Sequence, residues 1–293
     1  MLEIEKETIM TEKKRSAHVT IMGAGGKMGT RILNNLMKTE YTLLLCETSP
    51  MGIKSIEDRR LTVTEMPDAV PLSDVVIMAV PDAVLGKISQ KVVPLMKSGA
   101  TFILLDPAAA FAREIALRDD CTFVVTHPCH PALFVEQETP EARADMFGGI
   151  AAKQDIVIAL LQGEEKNFEM AHNICATMFA PVVHAHRITV EQMAMLEPAM
   201  AEVVGAACVV KLKEAMDEAI KRGVPEEAAR AFMLGHINIE LAIVFKSSNP
   251  FSDAAVRALK YGSERLFKEN WKDVFEKDSI EEVLKRMLHP ENE

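Results

Sequence analysis

The glycine-rich segment HVTIMGAGGKMG spans His18 to Gly29. It places four glycines within seven residues, directly after an apolar run typical of a β-strand and ahead of a helical pattern. Glycine permits a tight turn and a close approach of backbone to pyrophosphate, and the N–H groups of the following helix attract its charge. The spacing is GxxGxxG rather than GxGxxG, with one glycine extra. The segment predicts a dinucleotide site formed by Gly23, Gly25, Gly26, Lys27, Met28 and Gly29.

An acidic residue follows the next predicted strand. Glu47 lies 24 positions after Gly23, close to the spacing of about 20 that is typical of dinucleotide sites. A carboxylate there accepts hydrogen bonds from the ribose hydroxyls of adenosine and repels a 2′-phosphate, which favours NAD over NADP. Two nearby cations, Lys54 and Arg59, could weaken that preference. The alternative interpretation of the glycine segment is an ordinary tight turn between strand and helix.

A further predicted strand ends in the sequence Ala79-Val80-Pro81-Asp82. Residues just beyond a strand of a Rossmann-type sheet face the ligand crevice. We therefore predict that Val80 and Pro81 lie beneath the nicotinamide ribose. The alternative is a strand that simply ends at a proline, because proline cannot donate a hydrogen bond to its neighbour in the sheet.

Length and charge limit the classes of protein to which the chain can belong. The 293 residues suggest two domains of roughly 150 residues each. The net charge is −10, from 33 basic and 43 acidic residues, which argues against nucleic-acid binding. A hydrophobic fraction of 48% and a charged fraction of 26% are typical of a folded globular protein rather than a disordered one.

Cysteines and apolar runs bear on where the protein works. The five cysteines are scattered, and their odd number argues against a disulfide framework and favours the reducing cytoplasm. Every apolar run is shorter than the roughly 18 uninterrupted residues of a membrane helix, so we predict no membrane span. Residues 1–16 are rich in Glu and Lys, lack the apolar stretch of a signal peptide, and are interpreted as an N-terminal tail.

Short apolar runs alternate with helical patterns up to about residue 130. Several runs, such as Val75–Val80, are apolar throughout, which is typical of parallel strands covered on both faces. The alternation predicts an α/β fold that begins with a Rossmann-type, doubly wound parallel sheet. The predicted strands are His18–Met22, Thr42–Glu47, Leu61–Thr64, Asp74–Val80, Ala100–Asp106 and Cys121–Thr126.

The polar, turn-rich stretch Leu133–Gly149 suggests a domain boundary. We expect an NAD-binding domain at 17–148 and a mainly α-helical domain for substrate binding and dimerisation at 149–293. Two strands, Asp155–Leu161 and Pro181–His186, open the second domain. Pro198 should start or kink the first long helix after them, because proline lacks an N–H. The predicted helices are Glu164–Phe179, Thr189–Arg222, Pro225–Lys246, Ser252–Phe267 and Ser279–Leu288.

Two histidines occupy the proline-rich segment THPCHP, residues 126–131, after the sixth predicted strand. The prolines restrict the backbone at the ligand crevice, so His127 and His130 are candidate acid/base or metal-binding groups. Cys129 adds a soft ligand, but the spacing is too short for an ordinary structural zinc site. The alternative is a rigid loop whose histidines cap backbone groups.

The helical domain contains further candidates. Glu197 precedes Pro198 in an apolar stretch, where a carboxylate would be a tuned acid/base group, a metal ligand or a buried cap. His236 and Glu240 share one helix face four residues apart, either as functional groups or as a surface pair.

Five segments together resemble one family. GAGGKMG, AVPD, HPCHPALF, LEPAMAE and GHINIELA occur in the order found in the D-apionate oxidoisomerases, which belong to the wider group of enzymes similar to 6-phosphogluconate and β-hydroxyacid dehydrogenases. The resemblance covers roughly residues 17–288. It implies NAD-linked oxidation of D-apionate, a branched sugar acid, together with a rearrangement of the carbon skeleton to 3-oxo-isoapionate.

The resemblance also implies how the site works. NAD accepts a hydride, a base takes the hydroxyl proton, and a divalent metal ion that polarises neighbouring oxygens assists migration of a carbon group. His127 and Glu197 are the implied metal ligands, and His130, Glu197 and His236 the implied catalytic or substrate-contacting groups. Lys211 resembles the lysine of β-hydroxyacid dehydrogenases, but Ala215 stands where those enzymes carry asparagine. Lys211 is therefore not assigned as the main base.

Two other functions remain open. A simple NAD-dependent hydroxyacid or prephenate-type dehydrogenase would use His127 as the base and would need no metal. A redox sensor would bind NAD and change its assembly without turnover. We expect a cytoplasmic homodimer joined through Met- and Ala-rich helices, with neither nucleic acid nor membrane as partner. An enzyme of either kind would take a small-molecule sugar acid as its substrate.

Overall fold

The computed structural model describes residues 16–246 and 249–292. Apart from Ser16, the predicted N-terminal tail lies outside these described residues. Within them the chain divides into two compact units, and the division falls between Met193 and Ala194.

A seven-stranded sheet organises the described part of the first unit. Its strand order is β2-β1-β3-β4-β5-β6-β7. The pairs from β2 through to β5 are parallel, β6 is antiparallel to β5, and β7 is parallel to β6. The strands are β1 His18–Met22, β2 Thr42–Cys46, β3 Val75–Met78, β4 Thr101–Leu104, β5 Thr122–Pro128, β6 Gln154–Gln162 and β7 Val182–Arg187.

Helices cover the sheet, and the predicted Rossmann-type α/β fold is confirmed. The apolar face of α1 and that of α7 pack on the sheet and form the core with its central strands. Residues such as Ile32, Leu33 and Ile174 are fully buried there. The helices of the first unit are α1 Lys27–Leu36, α2 Pro50–Glu57, α3 Met66–Ala69, α4 Asp82–Val92, α5 Ala108–Phe111, α6 Pro140–Ala144, α7 Glu165–Met178 and α8 Val190–Ala194.

The predicted strand Leu61–Thr64 is wrong. In this segment Val63 forms a single parallel bridge to Leu45. Arg60 just before it has a positive φ of 62°, and α3 begins only a few residues later. The segment is too short and too constrained at both ends to extend the sheet.

The unit division differs from the predicted boundary at residue 148. The strands β6 and β7 complete the same sheet as β1 to β5, so the first unit continues to Met193. The polar stretch that suggested a boundary lies within the connection between β5 and β6, which contains α6.

The second unit consists of helices in its described residues. A π-helical segment, Met195–Ala206, leads into α9. Pro198 lies inside this segment rather than at a helix start, and the wider π-helical turns accommodate a residue that has no N–H. The remaining helices are α9 Ala207–Lys221, α10 Glu226–Lys246, α11 Asp253–Leu266 and α12 Lys277–Leu288.

Two helical stretches, Val190–Lys221 and Glu226–Lys246, are long and apolar enough to cross a membrane by length and composition alone. Our prediction of no span was based on the length of uninterrupted apolar runs. These two stretches are apolar on average, although charged residues such as Glu197 and Glu240 interrupt them. Along α10 only Ala229 is buried. This helix therefore exposes much apolar surface, which in soluble proteins marks an interaction face.

One buried carboxylate organises the loop that precedes β6. Asp145 is 8% exposed and accepts hydrogen bonds from four backbone N–H groups. Burial raises the pKa of Asp145, but these bonds outweigh burial and hold it below its ordinary value of 3.8. The loop is thus fixed around an ionised side chain. The donors are Gly148, Ile150, Ala151 and Ala152, at 2.9–3.2 Å.

Replacing Asp145 by asparagine should lower the free energy of unfolding by about 2 kcal/mol near neutral pH, since charge-assisted hydrogen bonds are lost. The folded pKa is depressed, so the carboxylate stabilises the fold above its ordinary pKa and loses that effect as the pH falls through the folded value. The unfolding free energies of the two proteins, measured with urea, should therefore converge as the pH falls below 3.8. Glu138→Gln, which removes an exposed ion pair to Lys153, should have a much smaller effect because solvent screens exposed pairs; equal losses in the two variants would contradict this account.

Candidate functional site

The glycine segment forms a tight turn between β1 and α1. Gly23 has a φ of +74°, a conformation that disfavours side chains, and its N–H donates to the carbonyl of Cys46 at 2.8 Å. A Cβ added at Gly23 would overlap the carbonyl oxygen of Ala79, and one added at Gly29 would overlap that of Gly23. The glycines thus allow backbone to meet backbone, and α1 begins at Lys27 with N–H groups that have no partner within the helix.

Glu47 lies beside this turn, as the spacing predicted. Its Oε2 accepts a hydrogen bond from the Gly25 N–H at 3.0 Å, and its Oε1 accepts from Thr48 and Ser49 at 2.8 and 2.9 Å. Burial raises the pKa of Glu47, but the hydrogen bonds from these N–H groups lower it further than burial raises it. The carboxylate is therefore ionised, and its two oxygens retain lone pairs for further donors.

A second close contact fixes the Glu47 side chain. A Cβ added at Gly52, in the first turn of α2, would lie 2.5 Å from the Glu47 carboxyl carbon. A Cβ added at Gly25 would overlap the Gly52 backbone. The glycine turn, the carboxylate and the start of α2 are thus packed together with room only for glycine at both positions.

The segment after β3 lies against the same turn. A Cβ built on Gly23 would lie 3.3 Å from Cγ1 of Val80. Pro81 follows as the N-cap of α4, and its backbone is extended, with φ −59° and ψ 143°. The structure therefore brings Val80 and Pro81 to the carboxyl edge of the sheet, beside the glycine turn.

An aspartate and a histidine meet at the carboxyl ends of β4 and β5. Asp106 follows β4 and is 9% exposed, and His127 lies near the end of β5. A carboxylate oxygen of Asp106 and a ring nitrogen of His127 are within 4.8 Å of each other. The sequence analysis missed Asp106, although its position directly after a buried strand is the signal that could have found it.

The ring of His127 is electrically neutral at neutral pH. Burial lowers the pKa of His127 to about 4, with a smaller lowering from His130. Its Nδ1 lies 2.9 Å from the carbonyl oxygen of Pro128. A carbonyl only accepts hydrogen bonds, so Nδ1 carries the proton and Nε2 carries the lone pair. A neutral imidazole oriented through its other nitrogen is the form that binds metal ions.

His130 is held in an unusual backbone conformation beside His127. Its φ is +61°, in the left-handed region that non-glycine residues seldom adopt. The two imidazole rings are 6.0 Å apart at their centroids and nearly perpendicular. Nδ1 of His130 lies 2.8 Å from the carbonyl oxygen of Phe147, so the proton is again on Nδ1 and the lone pair on Nε2. Backbone strain of this kind often accompanies a functional position.

Two cations share the Phe147 ring with His130. The Lys27 Nζ is 4.3 Å and the Arg31 Cζ 4.5 Å from the ring centroid, whereas the His130 ring lies 4.9 Å away. The Arg31 Nε also donates to the carbonyl of Gly148 at 3.2 Å. Phe147, on the loop that Asp145 organises, thus connects the first turns of α1 to His130.

The second unit carries the remaining predicted site residues. Glu197 is half-buried in the π-helical segment, next to the buried Pro198. Ring stacking joins His236 to Phe232 at 3.9 Å between centroids, and its Nδ1 lies 2.9 Å from the Phe232 carbonyl oxygen rather than pairing with Glu240. His236 is exposed on α10.

Lys211 and Lys213 of α9 are both in surface ion pairs. Lys211 pairs with Glu214 and Lys213 with Asp217, each at 2.6 Å. Both ammonium groups are more than half exposed. Lys211 therefore lies on a solvated helix face.

These residues fit a dinucleotide and a divalent ion. A cradle in which a Cβ added at Gly23, Gly25 or Gly29 would collide with backbone suits the close approach of a pyrophosphate, and the ionised Glu47 beside it suits ribose hydroxyls. A buried carboxylate and a neutral imidazole, Asp106 and His127, form an oxygen and nitrogen donor pair of the kind that binds divalent ions.

The chain is similar in sequence to proteins of known family. Residues 135–288 match the family model of the phosphogluconate dehydrogenase (decarboxylating) C-terminal domain. The chain is 47% identical to a D-apionate oxidoisomerase of Blautia hydrogenotrophica, over 93% of this chain and 97% of that protein. It is 44% identical to a D-apionate oxidoisomerase of Pectobacterium atrosepticum, over 92% of this chain and 95% of that protein.

Solved structures show the same fold. A semialdehyde dehydrogenase NAD-binding protein from Cupriavidus necator, in complex with calcium and NAD, is 42% identical and superposes with a TM-score of 0.90, covering 93% of this chain and all of that one. An NADH-preferring ketol-acid reductoisomerase from an uncultured archaeon, at 17% identity and a TM-score of 0.67 over 94% of this chain and 83% of that one, shares the fold.

Proposed function

The chain belongs to the D-apionate oxidoisomerase family, and from that premise we propose that it oxidises D-apionate or a closely related branched sugar acid with NAD and rearranges the carbon skeleton to a product of the 3-oxo-isoapionate type. One observation carries the proposal: the glycine turn, Asp106 and His127 all lie at the carboxyl ends of neighbouring parallel strands of one sheet. Ligands of doubly wound folds bind at this edge.

The cofactor would lie across the glycine turn. Gly23, Gly26 and Gly29 leave room for the pyrophosphate, and the N–H groups of Lys27 and Met28 at the start of α1 point toward it. Glu47 would accept the ribose hydroxyls and so favour NAD over NADP, whereas Val80 and Pro81 would contact the nicotinamide half. Bound NAD supplies the hydride acceptor for the carbinol carbon.

A divalent ion would be held by His127, Asp106 and Glu197. The neutral His127 offers the Nε2 lone pair, and the two carboxylates supply the charge that a divalent ion requires. When bound, such an ion supplies the Lewis acidity that polarises the adjacent carboxylate, hydroxyl and ketone oxygens of a sugar acid. The π-helical turns around Pro198 would hold the Glu197 carboxylate in position as a ligand.

His130 is the proposed base for the substrate hydroxyl. Its Nδ1–H is committed to the Phe147 carbonyl, so a proton would be taken by Nε2, and the strained backbone and the Phe147 ring would hold that nitrogen in place. His236 is proposed as a further acid/base or substrate-contacting group, with its Nε2 as the lone-pair nitrogen. The first unit would thus bind the cofactor and the second contribute to the substrate site.

The working protein is proposed to be a cytoplasmic homodimer. Exposed apolar side chains along α10 would be covered by the same helices of a second copy, as expected for an isologous interface. They include Phe232, Leu234, Ile239, Val244 and Phe245. Dimer formation would explain why these helices are apolar without placing them in a membrane. The small sugar acid would then be the other binding partner.

The glycine turn can be tested without disturbing the fold. In Gly26→Ala the added methyl would meet only the Gly23 carbonyl oxygen, at 3.3 Å, but it would intrude on a pyrophosphate. We expect the affinity for NADH, measured by calorimetry, to fall at least about tenfold. In the control Gly262→Ala the methyl meets nothing within 4 Å, and affinity should not change. Equal affinities in the two variants would contradict the cofactor site.

The reaction is tested by incubating the protein with NAD and D-apionate and determining the product skeleton by NMR. We expect NADH together with a rearranged skeleton, and loss of both after treatment with EDTA. His127→Ala and Glu197→Gln should each reduce turnover at least about 100-fold with NADH affinity within a few-fold of wild type, whereas the control His172→Ala stays active. An unrearranged product that forms equally well in EDTA would instead support a simple dehydrogenase.

The dimer is tested by light scattering on the purified protein without detergent. We expect the mass of two 32.4 kDa chains. Phe245 is 72% exposed on α10, and its side chain should be required for dimer formation. Phe245→Glu should yield a monomer because a charge would be buried in an apolar interface. Leu72→Glu, at an apolar residue exposed elsewhere, is the control and should remain dimeric. A wild-type monomer, or a protein that needs detergent to stay in solution, would overturn the assignment.

A further inference from the structure

Three side chains of types that commonly bind metals lie on the last two strands of the sheet, and none of them is among the residues assigned to the candidate active site. Asp155 is on β6, and His184 and His186 are on β7, the edge strand. Residues two apart on a strand share one face, so the two imidazoles project together. Arg187 projects to the other face, where it pairs with Glu165.

An irregularity in strand pairing places Asp155 opposite His184. Gln154 pairs with Val182, but the next pair along the strands joins Ile156 to Ala185, with a register shift between them. Two residues of β7 therefore face Asp155 alone. Bulges of this type redirect side chains and increase local twist. Here the bulge puts His184 opposite Asp155, and His186, which pairs with Val157, reaches the same carboxylate along the diagonal.

The donor atoms have the spacing of a metal site. His184 Nδ1 is 3.3 Å from Asp155 Oδ1, and His186 Nε2 is 2.9 Å from Oδ2. One ligand atom from each residue lies within 4.8 Å of the other two. In a tetrahedral zinc site with bonds of about 2.0–2.1 Å, ligand atoms are separated by about 3.3 Å. Only small shifts would bring the three side chains onto one ion.

The backbone also holds the cluster in place. The N–H of His184 donates to Asp155 Oδ1 at 3.1 Å, so the carboxylate is oriented by the strand that carries its partners. Burial raises the pKa of Asp155, but hydrogen bonds from His186 and from the His184 N–H lower it more, which keeps the carboxylate ionised. The histidine side chains are 68% and 54% exposed, so an ion can reach them from solvent.

We propose that Asp155, His184 and His186 form a binding site for zinc or a similar first-row divalent ion. Two imidazoles and one carboxylate are a ligand set of this class, and three protein ligands leave a position for water. The ion would replace two imidazole–carboxylate hydrogen bonds and would fasten the edge strand β7 to β6. This inference is independent of the proposed reaction and of the ion proposed at His127.

The test uses the full chain carrying His127→Ala, so that the other proposed ion site does not contribute. After chelation and desalting, zinc chloride is titrated against the protein in competition with a chromophoric chelator. We expect one zinc ion per chain, and at least about tenfold weaker binding when His186→Ala or His184→Ala is added. His172→Ala, at a histidine of α7 outside the cluster, is the matched control and should bind zinc normally.

Two further readouts make the outcome decisive. Cobalt chloride should give visible absorption bands of a low-symmetry site that disappear in His186→Ala. Zinc should raise the melting temperature of the parent and of the His172→Ala protein but not that of the His186→Ala protein, since ligand binding stabilises only the state that binds. Circular dichroism confirms that each variant is folded. Zinc binding that is unchanged by both substitutions, or that is absent from the parent protein, would overturn the proposal.

Discussion

Parallel pairing of β1, β3, β4 and β5 is the constraint on which the site depends. Because these strands run in one direction, their carboxyl ends meet at a single edge, and the segments that follow them are brought side by side whatever their separation in sequence. Gly23, Val80, Asp106 and His127 come from four different parts of the chain and reach this edge for that reason. Since each strand is buried on both faces, the edge is rigid, which suits a site that must align cofactor and substrate.

Hydrogen bonds to backbone carbonyls orient the two histidines of the candidate site. In both cases Nδ1 faces a carbonyl oxygen, so Nδ1 carries a proton and Nε2 is the nitrogen left for other contacts. Their surroundings separate them further, because burial keeps His127 neutral, whereas His130 belongs to a layer with Phe147, Lys27 and Arg31. Two identical side chains three residues apart are thereby suited to different chemistry, one to ligation and the other to proton transfer.

Local patterns predicted much of this molecule, and the failures have physical causes. The glycine turn and the position of Glu47 follow from short-range steric and electrostatic demands, which the sequence displays directly. Asp106 is one isolated acidic residue that follows an apolar strand. Only the pairing of β4 with β5 shows that it lies close to His127. Strand direction leaves no mark on an apolar run, so the reversal at β6 and the true extent of the first unit were not foreseeable from periodicity.

The helical unit shows the same limit in another form. Helix bounds were predicted closely because amphipathic periods are long and repetitive. Pro198 was expected to start or kink a helix, and it lies inside the wider turns of Met195–Ala206 instead of at a helix start. Whether a helix accommodates a proline depends on the hydrogen bonds of several successive turns. A rule about single residues therefore did not predict where Pro198 lies.

The reversed direction of β6 has a consequence for how the family can diversify. Because β6 runs opposite to β5 and β7 runs with β6, the connections that enter these two strands open onto the same rim as the connections that leave β1 to β5. Residues 129–153, which include His130 and Phe147, form one such entry. Insertions there would change the residues that line the proposed substrate site while the strands beneath keep their register. New sugar acids could then be accommodated without changes in the strands that carry the proposed cofactor site.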